Sequence, residues 1–216
     1  MLPRLSVSMT AAPLLELPQV LKVLQNAGVE MLHFDIEDGV FVPGITLGMK
    51  IIEELRLYSP LKFDVHLMVA NPEAYIPALV GIGVERISVH WEACRYPLRT
   101  LGMIRAGGAL AGLAFNPATA LPQLEYCLPV LDFVDVLSTE PALQQSRFIP
   151  QALEKLAAGR RRYAGTPLEW EMDGGIEDDN FRSALQAGAD VLVIGRAVFR
   201  GGTPEENLKR FLQPTP

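Results

Sequence analysis

Short apolar or β-branched runs alternate with amphipathic segments along the whole chain. Eight such runs predict β-strands, at residues 4–9, 31–36, 62–68, 86–90, 109–115, 132–138, 168–172 and 190–195. Between them, apolar residues recur at helical spacing and predict helices, for example at residues 17–28, 49–58 and 150–159. The pattern therefore predicts a strand–helix unit that repeats along the chain.

This repetition predicts parallel strands joined by crossover helices, which is the α/β class. Eight units in 216 residues favour a single-domain (β/α)8 TIM barrel over residues 1–216. An open doubly wound sheet predicts the same alternation. We favour the barrel because no GxGxxG motif follows the first strand, and because polar residues end several different strands.

Composition narrows the class of protein. The net charge is −6, and the one basic run, Arg160–Arg162, lies near the end of a predicted helix, where it opposes the helix dipole. Nucleic acid is therefore not an expected partner.

Cys94 and Cys127 do not form a metal-type pair and are expected to be free thiols. With no signal-peptide pattern and no long apolar run, we expect a cytoplasmic protein without a membrane partner.

The three histidines lie in or at the end of predicted strands. His33 and Asp35 are two residues apart, so their side chains share one face of the second strand, with Cα atoms about 6.6 Å apart. His66 ends the third strand and Asp173 ends the seventh. In a closed barrel these four could converge as ligands of Zn²⁺, Fe²⁺, Mn²⁺ or Co²⁺. His90 ends the fourth strand, where it either orients another group or packs.

Each residue also has a simpler interpretation. A single histidine at a strand end is usually structural, and Asp173 before two glycines could be a turn residue. The four side chains together favour a metal site. Gly174 and Gly175 precede one predicted helix, and Gly195 and Arg196 follow the last strand, which favours a phosphate site there. Barrel loops also need glycine for tight turns.

Several motifs carry a family resemblance, in the family's order. The segments LHFDIEDGVFVPGIT, FDVHLMVANPEAY, ISVHWEA, AFNPAT, RFIP, MDGGI and GADVLVIGRAVF resemble the ribulose-phosphate 3-epimerase family from about residue 4 to about residue 200. The combination of motifs is specific, whereas any one of them alone is not. The chain looks most like a divergent branch of the family that accompanies sugar-utilisation genes.

The resemblance implies a metal-dependent epimerase that inverts C3 of a ketose phosphate of the ribulose 5-phosphate/xylulose 5-phosphate type through an enediolate. Asp35 and Asp173 would transfer protons on opposite faces of the substrate and also bind the metal, with His33 and His66; Zn²⁺ is the favoured ion. A homo-oligomer, a dimer or a hexamer, is also implied. The residues expected to contact the substrate or its phosphate are Ser6, Met68, Gly174, Gly175, Gly195 and Arg196.

Three departures from the family pattern leave the substrate open. Glu37 and Leu137 stand where the family usually has methionine, and the glycine-free segment 140–147 replaces a glycine-rich loop. Arg147 or Arg196 could compensate for that loop. Another ketose phosphate, such as allulose 6-phosphate, could be the substrate, and the barrel could also bind a sugar phosphate without turning it over. A related decarboxylase or synthase is disfavoured, because the D-x-K-x-x-D pattern of that group is absent.

Overall fold

The fold is a closed barrel of eight parallel strands. The computed structural model describes residues 4–141 and 147–212. The strands pair in the order of the sequence, and β8 pairs with β1 to close the barrel. This confirms the predicted (β/α)8 fold and excludes the open sheet. The strands are β1 (Arg4–Ser8), β2 (Met31–Glu37), β3 (Lys62–Met68), β4 (Arg86–His90), β5 (Leu110–Phe115), β6 (Phe133–Leu137), β7 (Glu169–Asp173) and β8 (Val191–Ile194).

The helices surround the barrel and bury one face each. They are α1 (Leu17–Asn26), α2 (Met49–Arg56), α3 (Ile76–Ile82), α4 (Pro97–Ala106), α5 (Gln151–Arg162), α6 (Phe181–Ala187), α7 (Arg196–Phe199) and α8 (Pro204–Leu212). In α1 the buried residues Val20, Leu21 and Leu24 follow helical spacing. Over residues 4–141 and 147–212, no helix has the length and apolarity that a membrane crossing requires.

The connection between β5 and β6 differs from the repeated pattern. All of residues 116–132 are described, and they form turns and one short 3-10 helix at Leu128–Val130 instead of an α-helix. Pro117, Pro122 and Pro129 explain this, because proline has no N–H for the helical hydrogen bond. Leu124 and Cys127 are nonetheless fully buried, so the segment still covers the barrel.

The two faces of each strand have different surroundings. Along β3, Phe63, Val65 and Leu67 belong to the apolar core between strands and helices. Asp64 and His66 alternate with them and therefore point into the barrel. The barrel interior is thus partly polar, and its carboxyl end carries the side chains described next.

A cluster of charges lies inside the barrel below the carboxyl ends of the strands. The Arg86 guanidinium from β4 donates to Glu169 at 2.8 Å, to Glu171 at 2.9 Å and to Asp64 at 3.4 Å. Arg86, Asp64 and Glu171 are all buried. Burial and the nearby Asp64 carboxylate raise the pKa of Glu171 to about 7, whereas Arg86 holds the pKa of Asp64 at about 2 in spite of burial.

Candidate active site

Four predicted side chains from three strands meet at the carboxyl end of the barrel. His33 Nε2 lies 3.3 Å from Asp35 Oδ1 and 3.6 Å from Asp173 Oδ2. His66 Nδ1 lies 3.4 and 3.5 Å from the same two oxygens. The imidazoles are fully buried, while both carboxylate side chains are 15% exposed. The structure therefore brings together the four residues that the sequence singled out as ligands.

Four of the six spacings among these atoms match a tetrahedral cation site, and all four atoms lie within 4.8 Å of one another. Zinc bonds of about 2.0–2.1 Å place neighbouring tetrahedral ligands about 3.3–3.4 Å apart. The four nitrogen–oxygen distances run from 3.3 to 3.6 Å. His66 Nδ1 is buried and makes no hydrogen bond of acceptable geometry. A buried polar atom without a partner is costly, and a bound cation would satisfy it. Two nitrogens and two oxygens suit Zn²⁺ and several neighbouring divalent metals.

The carboxylates control the protonation of the imidazoles. Burial disfavours a charged ring, but Asp173 and Asp35 outweigh it and raise the pKa of His66 to about 10. Against the same effect of burial, Asp35 and Asp173 also raise the pKa of His33. In turn, the two rings hold the pKa of Asp35 well below its usual range, although burial opposes this. A cation would displace protons from these nitrogens, so metal affinity and pH are linked.

The orientation of His33 is set from inside the barrel. Its Nδ1 lies 3.0 Å from Asp64 Oδ2, an oxygen that also accepts a hydrogen bond from Ser6 Oγ at 2.9 Å. Because Asp64 is ionised, it can only accept, and His33 Nδ1 must carry the proton. Nε2 is then the nitrogen that faces Asp35 and Asp173 and that would offer its lone pair once a cation displaces its proton. Such a carboxylate behind a histidine is typical of metal ligands.

His90 lies behind His66. The Nε2 atoms of the two rings are 2.9 Å apart, and His90 Nδ1 lies 3.1 Å from Glu92 Oε2. Burial lowers the pKa of His90 to about 4, so the ring is neutral at neutral pH. Although burial opposes it, hydrogen bonds from His90, Thr119 and the Asn116 N–H lower the pKa of Glu92 to about 2. The sequence predicted that His90 either orients another group or packs. Its contact with His66 Nε2 favours the first of these roles.

A cavity of about 360 Å³ opens beside the four side chains. Asp35 and Asp173 line it. Five of the six residues expected to contact the substrate or its phosphate line it too: Met68, Gly174, Gly175, Gly195 and Arg196. The fold therefore brings the two carboxylate ligands and most of the predicted substrate residues to one cavity.

Ser6 is the predicted substrate residue that does not reach this cavity. It is fully buried and donates to Asp64, below the four ligands. Ser8, two residues further on the same face of β1, lines the cavity instead. Thr10 lines it as well, and its hydroxyl donates to Asp35 Oδ2 at 3.0 Å. Alternation along β1 offered the signal for Ser8, since Ser8 lies nearer the carboxyl end of the strand.

The glycines after β7 are required by their surroundings. Gly174 and Gly175 have φ angles of 104° and 66°, which side chains rarely adopt. A Cβ on Gly174 would collide with Thr139 Oγ1, and a Cβ on Gly175 would lie 2.8 Å from Thr139 Cγ2 and 3.1 Å from the Phe148 nitrogen. Only glycine therefore keeps the backbone this close to the cavity.

Two of the departures from the family pattern also line the cavity. Glu37 and Leu137 both contribute to its wall. Glu37 is only 8% exposed, burial raises its pKa, and its Oε2 has no hydrogen-bond partner. The wall thus presents a hydrogen-bond acceptor where the family usually has a thioether.

The third departure, segment 140–147, is described only at its ends, because residues 142–146 lie outside the described residues. Glu140 and Pro141 line the cavity. Arg147 lines an adjacent cavity of about 690 Å³ that shares Gly175 and Arg196 with the first. A cation from this segment therefore lies beside the predicted phosphate residues.

The chain resembles known proteins in sequence and in fold. The ribulose-phosphate 3-epimerase 1 of Cupriavidus necator is 38% identical over 94% of this chain and 86% of that protein. The ribulose-phosphate 3-epimerase of Escherichia coli is 39% identical over 80% of this chain and 78% of its own length. The crystal structure of orotidine 5'-phosphate decarboxylase from Pyrococcus horikoshii matches with a TM-score of 0.67 but 15% identity, covering 96% of this chain and 97% of that one. That likeness shows the fold alone. The sequence model of the ribulose-phosphate 3 epimerase family matches residues 4–199, and the chain belongs to this family.

Proposed function

We propose that the chain is a metal-dependent epimerase that inverts C3 of a ketose phosphate, with ribulose 5-phosphate and xylulose 5-phosphate as its substrate pair. One observation carries the proposal. Asp35 and Asp173 come from β2 and β7, face the same two imidazoles, and both reach the same cavity. Two opposed carboxylates at one small cavity are what proton exchange on two faces of a carbon requires.

Each carboxylate has two oxygens, which allows two roles. Asp35 Oδ1 faces the imidazole nitrogens, while Oδ2 accepts a hydrogen bond from Thr10. In our proposal one aspartate accepts the proton from C3, which leaves the substrate as an enediolate. The other aspartate, which must carry a proton at the start, delivers it to the opposite face of C3; the configuration inverts and the two aspartates have exchanged protonation states. Asp35, Asp173, His33 and His66 would hold a divalent cation, which supplies Lewis-acid stabilisation of the developing oxyanion.

The phosphate would lie at the end of the cavity formed by Gly174, Gly175, Gly195 and Arg196. Gly174 and Gly175 keep the backbone close to the cavity, where its N–H groups can approach an anion. Arg147 and Arg196 line the adjacent cavity beside Gly175. We propose that these two cations bind the phosphate and so compensate for the glycine-rich loop that this chain lacks.

A second substrate has one observation in its favour. Glu37 places a buried oxygen without a hydrogen bond in the cavity wall. A hydroxyl that donates to this oxygen would bind better than an apolar group, and such a site can reject substrates that lack the hydroxyl. Another ketose phosphate, such as allulose 6-phosphate, is therefore the alternative substrate. The preference for Zn²⁺, the homo-oligomeric state and the cytoplasmic location stay predictions.

Deuterium exchange at C3 tests the function. Each of several pentulose and hexulose phosphates is incubated in D₂O with metal-loaded protein and followed by NMR. We expect exchange at C3 of one sugar, and its loss after chelation and in Asp35→Asn and Asp173→Asn. Absence of exchange with every sugar, while metal is bound, would refute the epimerase and favour the binding-only barrel. Exchange with a hexulose phosphate alone would favour the alternative substrate.

A further inference from the structure

A chain of hydrogen-bonding groups runs from the metal-binding cluster to the loop after β5. It begins at His66, passes to His90 through the two Nε2 atoms 2.9 Å apart, and reaches Glu92 from His90 Nδ1 at 3.1 Å. Both imidazoles are fully buried. The Phe41 ring covers His90, with 4.5 Å between ring centroids. The two rings are therefore shielded from water, and their nitrogens must form hydrogen bonds with neighbouring protein groups.

The far end of the chain is firmly held. Glu92 Oε1 accepts hydrogen bonds from the Asn116 N–H at 2.9 Å and from the Thr119 hydroxyl. Lys155 fixes the same loop, because its Nζ donates to the carbonyl oxygens of Asn116 at 2.7 Å and Pro117 at 2.8 Å. The segment NPAT after β5 and the segment VHWEA at the end of β4 thus form one unit behind His66.

The direction of the hydrogen bonds follows from Glu92. An ionised carboxylate only accepts, so His90 Nδ1 must carry the proton that points to Glu92. A neutral imidazole has one N–H, and His90 Nε2 is therefore an acceptor. His66 Nε2 must then donate to it. The other nitrogen of His66, Nδ1, faces Asp35 and Asp173, and its proton is the one that a bound cation would displace.

We propose that Glu92 and His90 are positioning residues that form a two-step relay, and that the relay fixes which nitrogen of His66 is presented to the metal. The relay rests on the metal site of the proposed function but needs no substrate. His33 is fixed in the opposite sense by Asp64, through Nδ1. The two histidines therefore present different ring nitrogens, Nε2 of His33 and Nδ1 of His66, to one cation.

Histidine ring NMR tests the relay directly. The chain has three histidines, so protein labelled with ¹⁵N-histidine gives three ring spectra. In the Zn²⁺-loaded protein we expect His66 bound through Nδ1 with its proton on Nε2, and His33 bound through Nε2 with its proton on Nδ1. His90 should be neutral with its proton on Nδ1, before and after Zn²⁺ is added. A His90 proton on Nε2, or His66 bound through Nε2, would overturn the proposal.

Variants of Glu92 give a second measurement. Glu92→Leu removes the acceptor, and we expect Zn²⁺ affinity, measured by chelator competition, to fall by about 10- to 100-fold, as other losses behind metal ligands do. Glu92→Gln keeps one oxygen and should recover part of the loss. Glu125→Leu is the matched control, because it makes the same replacement at a carboxylate whose hydrogen bonds go to Arg162 and Tyr163, away from the relay.

The outcomes separate the relay from the epimerase. Loss of affinity in Glu92→Leu but not in Glu125→Leu, together with the expected ring spectra, supports the relay whichever sugar is the substrate. Equal affinity in all variants refutes it, even where C3 exchange is intact. If Zn²⁺ does not bind to the wild-type protein, the proposed metal site fails, and the proton on His90 still decides whether the hydrogen-bond chain exists.

Discussion

Replacing Arg86 with methionine should strongly destabilise the barrel. The guanidinium is 3% exposed and bonds to Asp64, Glu169 and Glu171 inside the barrel. It also lies 3.9 Å from the centroid of the Phe133 ring. Methionine keeps an unbranched stem of similar length but removes the charge and all the donors. Asp64 and Glu171, both fully buried, are then left as carboxylates without their cation.

The size of the effect follows from burial. Removing one partner of a buried ion pair costs about 3–5 kcal/mol, because an uncompensated charge remains. Glu171 limits the loss, since its pKa is already about 7 and it can take up a proton. Asp64 takes up a proton less readily, because its ionised form accepts hydrogen bonds from His33 and Ser6. We therefore expect a loss of about 3–5 kcal/mol, or a fall in Tm of about 6–20 °C for a protein of this size.

Urea unfolding of metal-free protein measures the loss, with two comparisons. Arg160→Met is the matched control: Arg160 is 45% exposed and pairs with Asp190 at 2.7 Å, so about 0–1 kcal/mol is expected. The double variant Arg86→Met/Glu171→Gln should be more stable than Arg86→Met, because one stranded charge is gone. A loss below about 1 kcal/mol in Arg86→Met would refute the argument that these buried carboxylates depend on it.

Three further changes have distinct expected results. Glu171 in the folded protein keeps a proton to about pH 7, whereas the unfolded chain releases it near pH 4.3, so its contribution to stability is lost as pH rises through 7. Glu171→Gln should therefore gain stability over wild type between pH 5 and pH 8 in urea titrations, and a constant difference would contradict the shift. Glu37→Met removes the buried acceptor from the cavity wall, and we expect the kcat/KM ratio to move towards ribulose 5-phosphate and away from hexulose phosphates; an unchanged ratio would exclude Glu37 from specificity. Gly175→Ala forces a Cβ to 2.8 Å from Thr139 Cγ2 at a φ of 66°, so KM should rise about 10-fold or more while Zn²⁺ affinity, measured by chelator competition, stays at the wild-type value; a normal KM would show that the turn can relax.

The strands and the four ligands could be predicted from the sequence because their signals are local. Strands buried on both faces are short apolar runs, and each polar residue that interrupts such a run stands out. His33, Asp35 and His66 interrupt β2 and β3 in this way. Once the barrel is assumed, the carboxyl ends of the strands share one opening, so the position of each residue on its strand gives its place in the site.

Other features depend on contacts across the barrel, which no single segment shows. Arg86 begins a strand and could equally have been a surface residue; its three partners lie 22 to 85 residues away. Ser6 and Ser8 share one face of β1, and the depth of the site decides which of them reaches the cavity. The prolines of the β5–β6 connection prevent an α-helix there. Its apolar residues nevertheless cover the barrel, as the helices do elsewhere.

The buried charges and the metal site are linked through Asp64. Its carboxylate must be ionised to hold the proton of His33 on Nδ1, and an ionised carboxylate inside a barrel needs a nearby cation. Arg86 is that cation, at 3.4 Å. Replacing Arg86 should therefore weaken metal binding as well as folding, because the fraction of Asp64 that takes up a proton would donate to His33 Nδ1 and move the ring proton to Nε2. The polar interior would then be a support for the ligand set, in addition to its contribution to stability.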